Sequence, residues 1–160
     1  MADEPQPSFD DFYRTEYPRL LRVLSAADLS AADALQEAFA KAAADWSRIA
    51  HLDEPAAWVR HVAVRRMLNE RRSLRRRATV VATLATVSES ESTDRDQLLD
   101  LAGAIDVLPA QQRVALTLFY LGGLTSAQTA DAMDISAGAV RFHLHQARNT
   151  LREKLGDHRE

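Results

Sequence analysis

The chain has 160 residues, of which 46% are hydrophobic and 27% are charged, enough apolar material for one compact domain or two small helical ones. It contains no cysteine, which excludes disulfide frameworks, thiolate zinc sites and iron–sulfur clusters. The acidic start lacks the basic and apolar segments of a secretory signal, and no stretch approaches the ~18 apolar residues of a membrane span. The sequence therefore predicts a cytoplasmic protein without membrane insertion.

The formal net charge of -3 hides an uneven distribution along the chain. Residues 1–54 hold 5 Lys and Arg against 11 Asp and Glu, whereas residues 55–77 hold 8 Arg against the single Glu70. Residues 78–106 are acidic again, and residues 107–160 are nearly neutral. Because phosphate backbones select basic blocks, the block at 55–77 is a candidate nucleic-acid surface.

Two helices are predicted before residue 45. Ser8 is a suitable N-cap for the first helix, and Pro18 predicts a kink or a break within it. Ser30 opens the second helix, which has one polar and one apolar face. Its apolar face consists of Ala34, Leu35, Ala38, Phe39 and Ala42.

A loop at residues 49–55 is predicted to lead into a third helix, with Pro55 near its start. The apolar stripe of this helix consists of Trp58, Val59, Val62, Ala63 and Met67. The opposite side forms a basic ridge of His61, Arg65, Asn69, Arg72 and Arg76. Trp46 and Trp58 are interpreted as core residues rather than base-stacking platforms, because tryptophan on an apolar stripe is more often packed.

From Ala78 the helical pattern fails, and a polar acidic stretch follows. This pattern predicts a linker at residues 78–97, and an inert spacer explains its composition as well as a functional segment does. A helical stripe then returns at Leu98, Leu101, Ala102, Ile105 and Leu108. Pro109 starts another helix, and Gly122 and Gly123 end it.

Residues 125–155 have the spacing of a helix-turn-helix, with small Ala130, a turn at 134–136 and apolar Val140 ten residues after the alanine. Ser136 is placed to cap the second helix. The apolar side of that helix is Val140, Leu144, Ala147, Leu151 and Leu155, and its outward side is Arg141, Phe142, His145, Arg148 and Arg152. A plain helical hairpin with a solvated charged face remains an alternative. No segment alternates with a period of two, so the whole chain is predicted to be all-α.

Three segments together resemble the extracytoplasmic-function group of bacterial sigma factors. These are DALQEAF at 33–39, EPAAWVRHVAVRRMLNERR at 54–72, and the helix-turn-helix stretch that begins LPAQQRVALTLFYLGG. The resemblance implies two small helical domains, sigma region 2 at 1–77 and region 4 at 98–160, joined by a flexible acidic linker at 78–97. It also implies the function: binding RNA polymerase core and directing promoter-specific transcription initiation.

The resemblance further implies site residues and partners. For polymerase binding, through the clamp helices of the largest subunit, it implies Asp33, Gln36 and Glu37. For the minus-ten element it implies Arg60, His61, Arg65, Asn69 and Arg72, beside a loop at 49–55 that receives a flipped base. For the minus-thirty-five element it implies Ser126, Arg141, Phe142, His145 and Arg148. The polymerase flap, promoter DNA and an anti-sigma factor are the other implied partners.

The chain departs from the family pattern at three places. Asp134 stands in the helix-turn-helix turn where the family usually has glycine, which predicts a slightly strained turn. Phe142, His143 and Gln146 replace frequent basic residues, which predicts weak or unusual minus-thirty-five binding. Arg65 and Arg66 replace small or amide side chains, which predicts an altered base preference.

No catalytic triad, glycine-rich phosphate loop or H-E-x-x-H motif is present, and His143 and His145 are two apart, which on a helix prevents chelation of one metal. The sequence predicts no enzyme, no metal site and no cofactor. Two alternatives remain open. One is a stand-alone helix-turn-helix regulator that binds a palindromic site as a dimer without contacting polymerase core. The other is an interaction protein that sequesters a regulator and never binds DNA.

Overall fold

The structure, a computed structural model, describes residues 5–81 and 102–156, with the description of side chains in the first range ending at Glu70. Its helices are α1 Phe9–Ser25, α2 Ala31–Ala44, α3 Trp46–Ile49, α4 Pro55–Val81, α5 Ala110–Tyr120, α6 Ser126–Met133 and α7 Ala137–Gly156. Residues 102–106 add a short helical stretch, and no strand occurs within the described ranges. The predicted all-α fold is confirmed.

Helix α1 begins where the sequence predicts it. The Ser8 hydroxyl accepts a hydrogen bond from the Asp11 backbone N–H at 3.2 Å, which satisfies one of the free donors of the first turn. Of the kink or break predicted at Pro18, the break does not occur, because α1 continues through the proline to Ser25. Leu20 and Leu24, beyond the proline, are buried, and this burial offsets the hydrogen bond that proline cannot make.

An aromatic cluster locks α1 to α2. Phe39 of α2 is only 2% exposed, and the rings of Phe12, Tyr13 and Tyr17 lie 5.7, 5.0 and 5.8 Å from it, centroid to centroid. Trp46 of α3 extends the cluster at 4.9 Å from the Phe12 ring. The predicted core role of Trp46 is therefore confirmed, and Trp58 is likewise packed against the core.

The loop predicted at residues 49–55 begins one residue later than expected. Ile49 was expected to open a loop, but it ends α3 and is fully buried, so the turn covers only residues 50–54. Helix α4 starts at Pro55 as predicted and runs to Val81, past the predicted boundary at residue 77. The remaining linker residues 82–97, together with Leu98 and Leu101, lie outside the described residues.

Two glycines end α5 as predicted. A Cβ added at Gly122 would meet the Leu118 carbonyl oxygen at 2.5 Å, so only glycine fits there without a shift of the backbone. Gly123 has a φ of +66°, a conformation that L side chains rarely adopt. These two residues turn the chain from α5 towards α6.

The helix-turn-helix has its expected geometry. The Thr125 hydroxyl accepts from the Gln128 backbone N–H at 3.1 Å, while the Gln128 side chain accepts from the Thr125 N–H at 3.0 Å, a reciprocal cap at the start of α6. Asp134 takes the left-handed conformation, with φ 57° and ψ 46°. Ser136 then caps α7, accepting from the Ala139 N–H at 3.0 Å. The predicted apolar residues Val140, Leu144 and Ala147 are buried.

The N-terminal half (α1–α4) and the C-terminal half (α5–α7) touch each other. Helix α4 packs on α5 and α6, and α1 packs on α5. The buried apolar side chains form one continuous cluster across both halves. A polar contact joins them as well, between His61 Nδ1 and the Asp131 carbonyl oxygen at 2.9 Å.

Candidate polymerase and nucleic-acid interfaces

The three residues predicted to bind polymerase share one face of α2. Asp33, Gln36 and Glu37 are spaced i, i+3 and i+4, opposite the buried side of the helix. Asp33 and Gln36 are exposed, and Glu37 is half-buried. The structure thus brings the three together on the surface.

Their side chains have different surroundings. Gln36 donates to the Tyr13 hydroxyl at 3.2 Å. Glu37 forms ion pairs with Lys41, at 3.4 Å, and with Arg66 of α4. Among the described residues, no cation lies within ion-pairing distance of Asp33. Asp33 is therefore the carboxylate of this face that keeps an uncompensated negative charge.

Arg66 links the α2 face to a groove along α4. Arg66 also pairs with Glu70 at 3.1 Å. A network with no net charge therefore connects the two helices, and it consists of Lys41, Glu37, Arg66 and Glu70. This charge network has no local signal in the sequence, because it depends on how α2 and α4 pack. The groove has a volume of about 580 Å³.

Three of the predicted minus-ten residues line the same groove. His61, Arg65 and Asn69 follow one another at intervals of four residues on α4. Arg65 and Asn69 are exposed, while His61 is half-buried by its contact with α6. The side chain of Arg72, a fourth predicted member, lies outside the described residues.

Arg60 lies away from these three residues, because adjacent positions on a helix point about 100° apart. It lines a second groove, of about 550 Å³, between the two halves. Burial lowers the pKa of the Arg60 guanidinium, and the carboxylates of Glu54 and Glu16 oppose that shift. Its Nε is buried without a hydrogen-bond partner among the described residues. In this arrangement Arg60 is not on the exposed ridge.

The predicted outward face of α7 is exposed at Arg141, Phe142, His145 and Arg152, whereas Arg148 is half-buried. Phe142 is 59% exposed. Ser126 stands half-buried at the start of α6. Within the described ranges, no carboxylate lies within ion-pairing distance of Arg141. This face presents an aromatic ring and uncompensated positive charge in the first turns of the helix.

One residue of this face was missed in the sequence. Tyr120, the last residue of α5, accepts a hydrogen bond through its hydroxyl from Arg148 Nη1 at 2.8 Å. Nearby, Asn149 donates to His145 Nε2 at 3.2 Å. His143 does not share the outward face: it is half-buried, and burial lowers the pKa of its imidazole.

In the part of the chain that the structure describes, no three metal-ligating side chains lie close together. No described helix is long and apolar enough to span a bilayer.

Residues 98–151 match the family described as Sigma-70, region 4. Over 97% of its length the chain is 32% identical to a protein of Streptomyces antibioticus named RNA polymerase sigma-E factor, of which the match covers 88%. It is 33% identical to a Mycobacterium tuberculosis protein named ECF RNA polymerase sigma factor SigL, over 78% of the chain and 74% of that relative.

The fold is similar to that of a solved protein. The sigma factor RpoE of Bartonella quintana, in complex with the anti-sigma factor NepR, matches with a TM-score of 0.67 at 21% identity. The match covers 92% of this chain and 98% of the solved one. At that identity the likeness concerns the fold alone.

Proposed function

The chain belongs to the extracytoplasmic-function group of RNA polymerase sigma factors, and on this premise we propose which of its surfaces performs each step of promoter-specific initiation. As a sigma factor it binds RNA polymerase core and directs it to promoters. We assign the α2 face to the polymerase, the α4 groove to the minus-ten element and the outer face of α7 to the minus-thirty-five element.

The α2 face is proposed to dock on the clamp helices of the largest polymerase subunit. The observation that carries this assignment is the free carboxylate of Asp33, beside Gln36, on a helix whose other side is buried. A negative surface of this kind complements a basic partner and favours the correct encounter. Glu37 contributes less charge, because Lys41 and Arg66 already pair with it.

The α4 groove is proposed to hold the minus-ten element. Arg65 and Asn69 are exposed one turn apart, which suits a phosphate contact from the guanidinium and a base contact from the amide. The turn at 50–54 precedes this helix and is the proposed place for a flipped base. Residues 71–77 add five arginines, whose side chains lie outside the described residues.

Helix α7 is proposed to enter the major groove of the minus-thirty-five element. A recognition helix reads base edges with its N-terminal residues, and Arg141 and Phe142 are exposed in that part of α7. Arginine pairs with guanine, and an exposed aromatic ring contacts the thymine methyl group. His145, one turn later, extends this surface.

Promoter binding requires the two halves to separate. Elements at minus ten and minus thirty-five lie about 25 base pairs apart, or roughly 85 Å along the duplex. In the structure His61, a proposed minus-ten residue, contacts Asp131 of α6 at 2.9 Å. The contact between His61 and Asp131 cannot persist while each half binds its own promoter element. The two halves therefore separate when the chain binds polymerase and promoter.

The solved neighbour is bound to an anti-sigma factor, and we propose that an anti-sigma factor likewise restrains this chain. The chain itself acts in the cytoplasm, where bacterial polymerase and chromosomal DNA are. It contributes binding and not catalysis.

Pull-down with purified core polymerase tests the α2 face. The double variant Asp33→Ala, Gln36→Ala is expected to lose at least about tenfold in core affinity, equivalent to about 1.4 kcal/mol, without losing duplex binding. Glu37→Gln is expected to lose less than Asp33→Asn, because the charge of Glu37 is already paired. Asp10→Asn is the matched control, because it removes one negative charge from an exposed position on α1. Unchanged core affinity of the double variant would contradict the assignment.

A further inference from the structure

Tyr120 and Arg148 are held together although they lie 28 residues apart. The Tyr120 hydroxyl accepts from Arg148 Nη1 at 2.8 Å, and the Phe119 ring meets the Tyr120 ring edge-on at 5.1 Å. Tyrosine has only two side-chain torsions, whereas a free arginine samples many rotamers. The bond therefore fixes a side chain that would otherwise move among many conformations.

The pair has unused hydrogen-bond donors. A guanidinium has five N–H donors, and the bond to Tyr120 uses one of them. Because the hydroxyl accepts from Arg148, its own hydrogen is available to another acceptor. No carboxylate among the described residues lies within ion-pairing distance of Arg148, and the Tyr120 side chain is half exposed, with 54% of the residue accessible. Charged and neutral donors side by side suit the oxygens of a phosphate.

The position of Arg148 points to the backbone rather than to a base. It lies about three turns, or roughly 16 Å, beyond the start of α7 at Ala137. The major groove is about 12 Å wide, and a recognition helix reads bases with its first turns. When α7 enters the groove by its first turns, as proposed, a group this far along the helix lies beside the phosphates.

We propose that Tyr120 is a positioning residue for DNA binding, whose hydroxyl holds Arg148 so that the guanidinium grips a phosphate of the duplex. This inference rests on the proposed function, in which α7 enters the major groove. It adds a residue of α5, outside the helix-turn-helix, to the DNA interface. It also assigns Arg148 to sequence-independent contact.

The test uses the full chain and fluorescently labelled 30-base-pair duplexes of several unrelated sequences, titrated at a series of salt concentrations. Arg148→Ala is expected to weaken binding on every sequence and to reduce the slope of log affinity against log salt by about 1. Tyr120→Phe is expected to weaken binding about three- to tenfold on every sequence. In the Arg148→Ala background, Tyr120→Phe is expected to have less than about a twofold effect, because it acts through Arg148.

Tyr17→Phe is the matched control, since it removes a tyrosine hydroxyl from α1 and is expected to change nothing. Thermal melts of each variant check that folding is preserved. Wild-type affinity for Tyr120→Phe would overturn the inference, as would a full additional loss in the Arg148→Ala background, which would mean that Tyr120 acts independently of Arg148. A wild-type chain that binds no duplex would instead overturn the proposed function itself, and this inference with it.

Discussion

The two halves of the molecule present their charges in different ways. In the N-terminal half, Glu37 is paired with Lys41 and Arg66, and Arg60 is half-buried near two carboxylates. In the C-terminal half, Arg141 points outward without a carboxylate partner among the described residues, and Arg148 bonds to a hydroxyl. A partner of the first half must compete with internal pairs, each worth about 0–1 kcal/mol, whereas phosphates meet the second half directly.

The halves also hold their shapes differently. The N-terminal half depends on the aromatic cluster around Phe39, and the C-terminal half on caps and on the glycine turn at Gly122. Because these stabilising features lie in different parts of the sequence and differ in chemistry, we expect a destabilising change in one half to reduce the binding activity of that half first. The contact between the halves couples their stabilities. Variants in each half measure the strength of that coupling.

Phe39→Ala should have the largest effect. Removing a buried aromatic ring costs about 3–5 kcal/mol, through lost burial and the cavity left behind. Thermal or urea unfolding is expected to show this loss, together with reduced binding to polymerase core and retained duplex binding. Leu29→Ala, at a fully exposed position, is the control and should stay within about 0.5 kcal/mol. Equal loss of both binding activities would show that the halves fold as one unit.

Gly122→Ala should destabilise the other half. The added Cβ would stand 2.5 Å from the Leu118 carbonyl oxygen, and relieving that overlap by local backbone strain costs on the order of 1–3 kcal/mol. Duplex binding should fall, while core binding in a pull-down persists. Gly103→Ala is the matched control, because a Cβ there meets nothing within 4 Å. A Gly122→Ala chain as stable as the wild type would contradict the role given to this turn.

Arg141→Ala tests how the C-terminal half recognises DNA. If Arg141 reads a base, the variant should lose about 1–3 kcal/mol of affinity for the promoter's upstream element and discriminate less at one base pair. Fluorescence anisotropy with matched and mutated duplexes measures both quantities. A loss of the same size on all sequences would assign Arg141 to phosphate.

Asp134→Gly should have the smallest effect and the opposite sign. Asp134 has φ 57°, where glycine avoids the Cβ clash that an L side chain suffers. The expected gain is below about 1 kcal/mol, because glycine also loses more entropy on folding. A fall in the melting temperature would mean that the aspartate side chain stabilises the turn.

Local signals in the sequence predicted most of the fold. The caps at Ser8 and Ser136, the glycine turn after α5 and the apolar faces of α2 and α7 depend on neighbouring residues, so the sequence alone predicts them. Helix α1 does not break at Pro18, and Ile49 does not open a loop, because burial in the core outweighed local preference. The contact between the halves had no local signal.

The site residues were predicted as groups on helical faces, and the structure places Asp33 with Gln36, and Arg65 with Asn69, as that periodicity requires. Their roles stay predictions. Arg60 was predicted as a member of the minus-ten group, but it lines the groove between the two halves, and a position that depends on how the halves pack has no local signal in the sequence. The bond from Arg148 to Tyr120 was missed for the same reason: residues 28 positions apart meet only after the helices pack.

In vitro transcription measures directly whether this chain makes core polymerase start at defined promoters. Purified core from the native host, with and without the chain, would transcribe the host's genomic DNA, and sequencing would map the 5′ ends. A sigma-factor role predicts new starts at a limited set of sites that share two upstream elements. Starts that are the same with and without the chain, together with no association between chain and core, would contradict it.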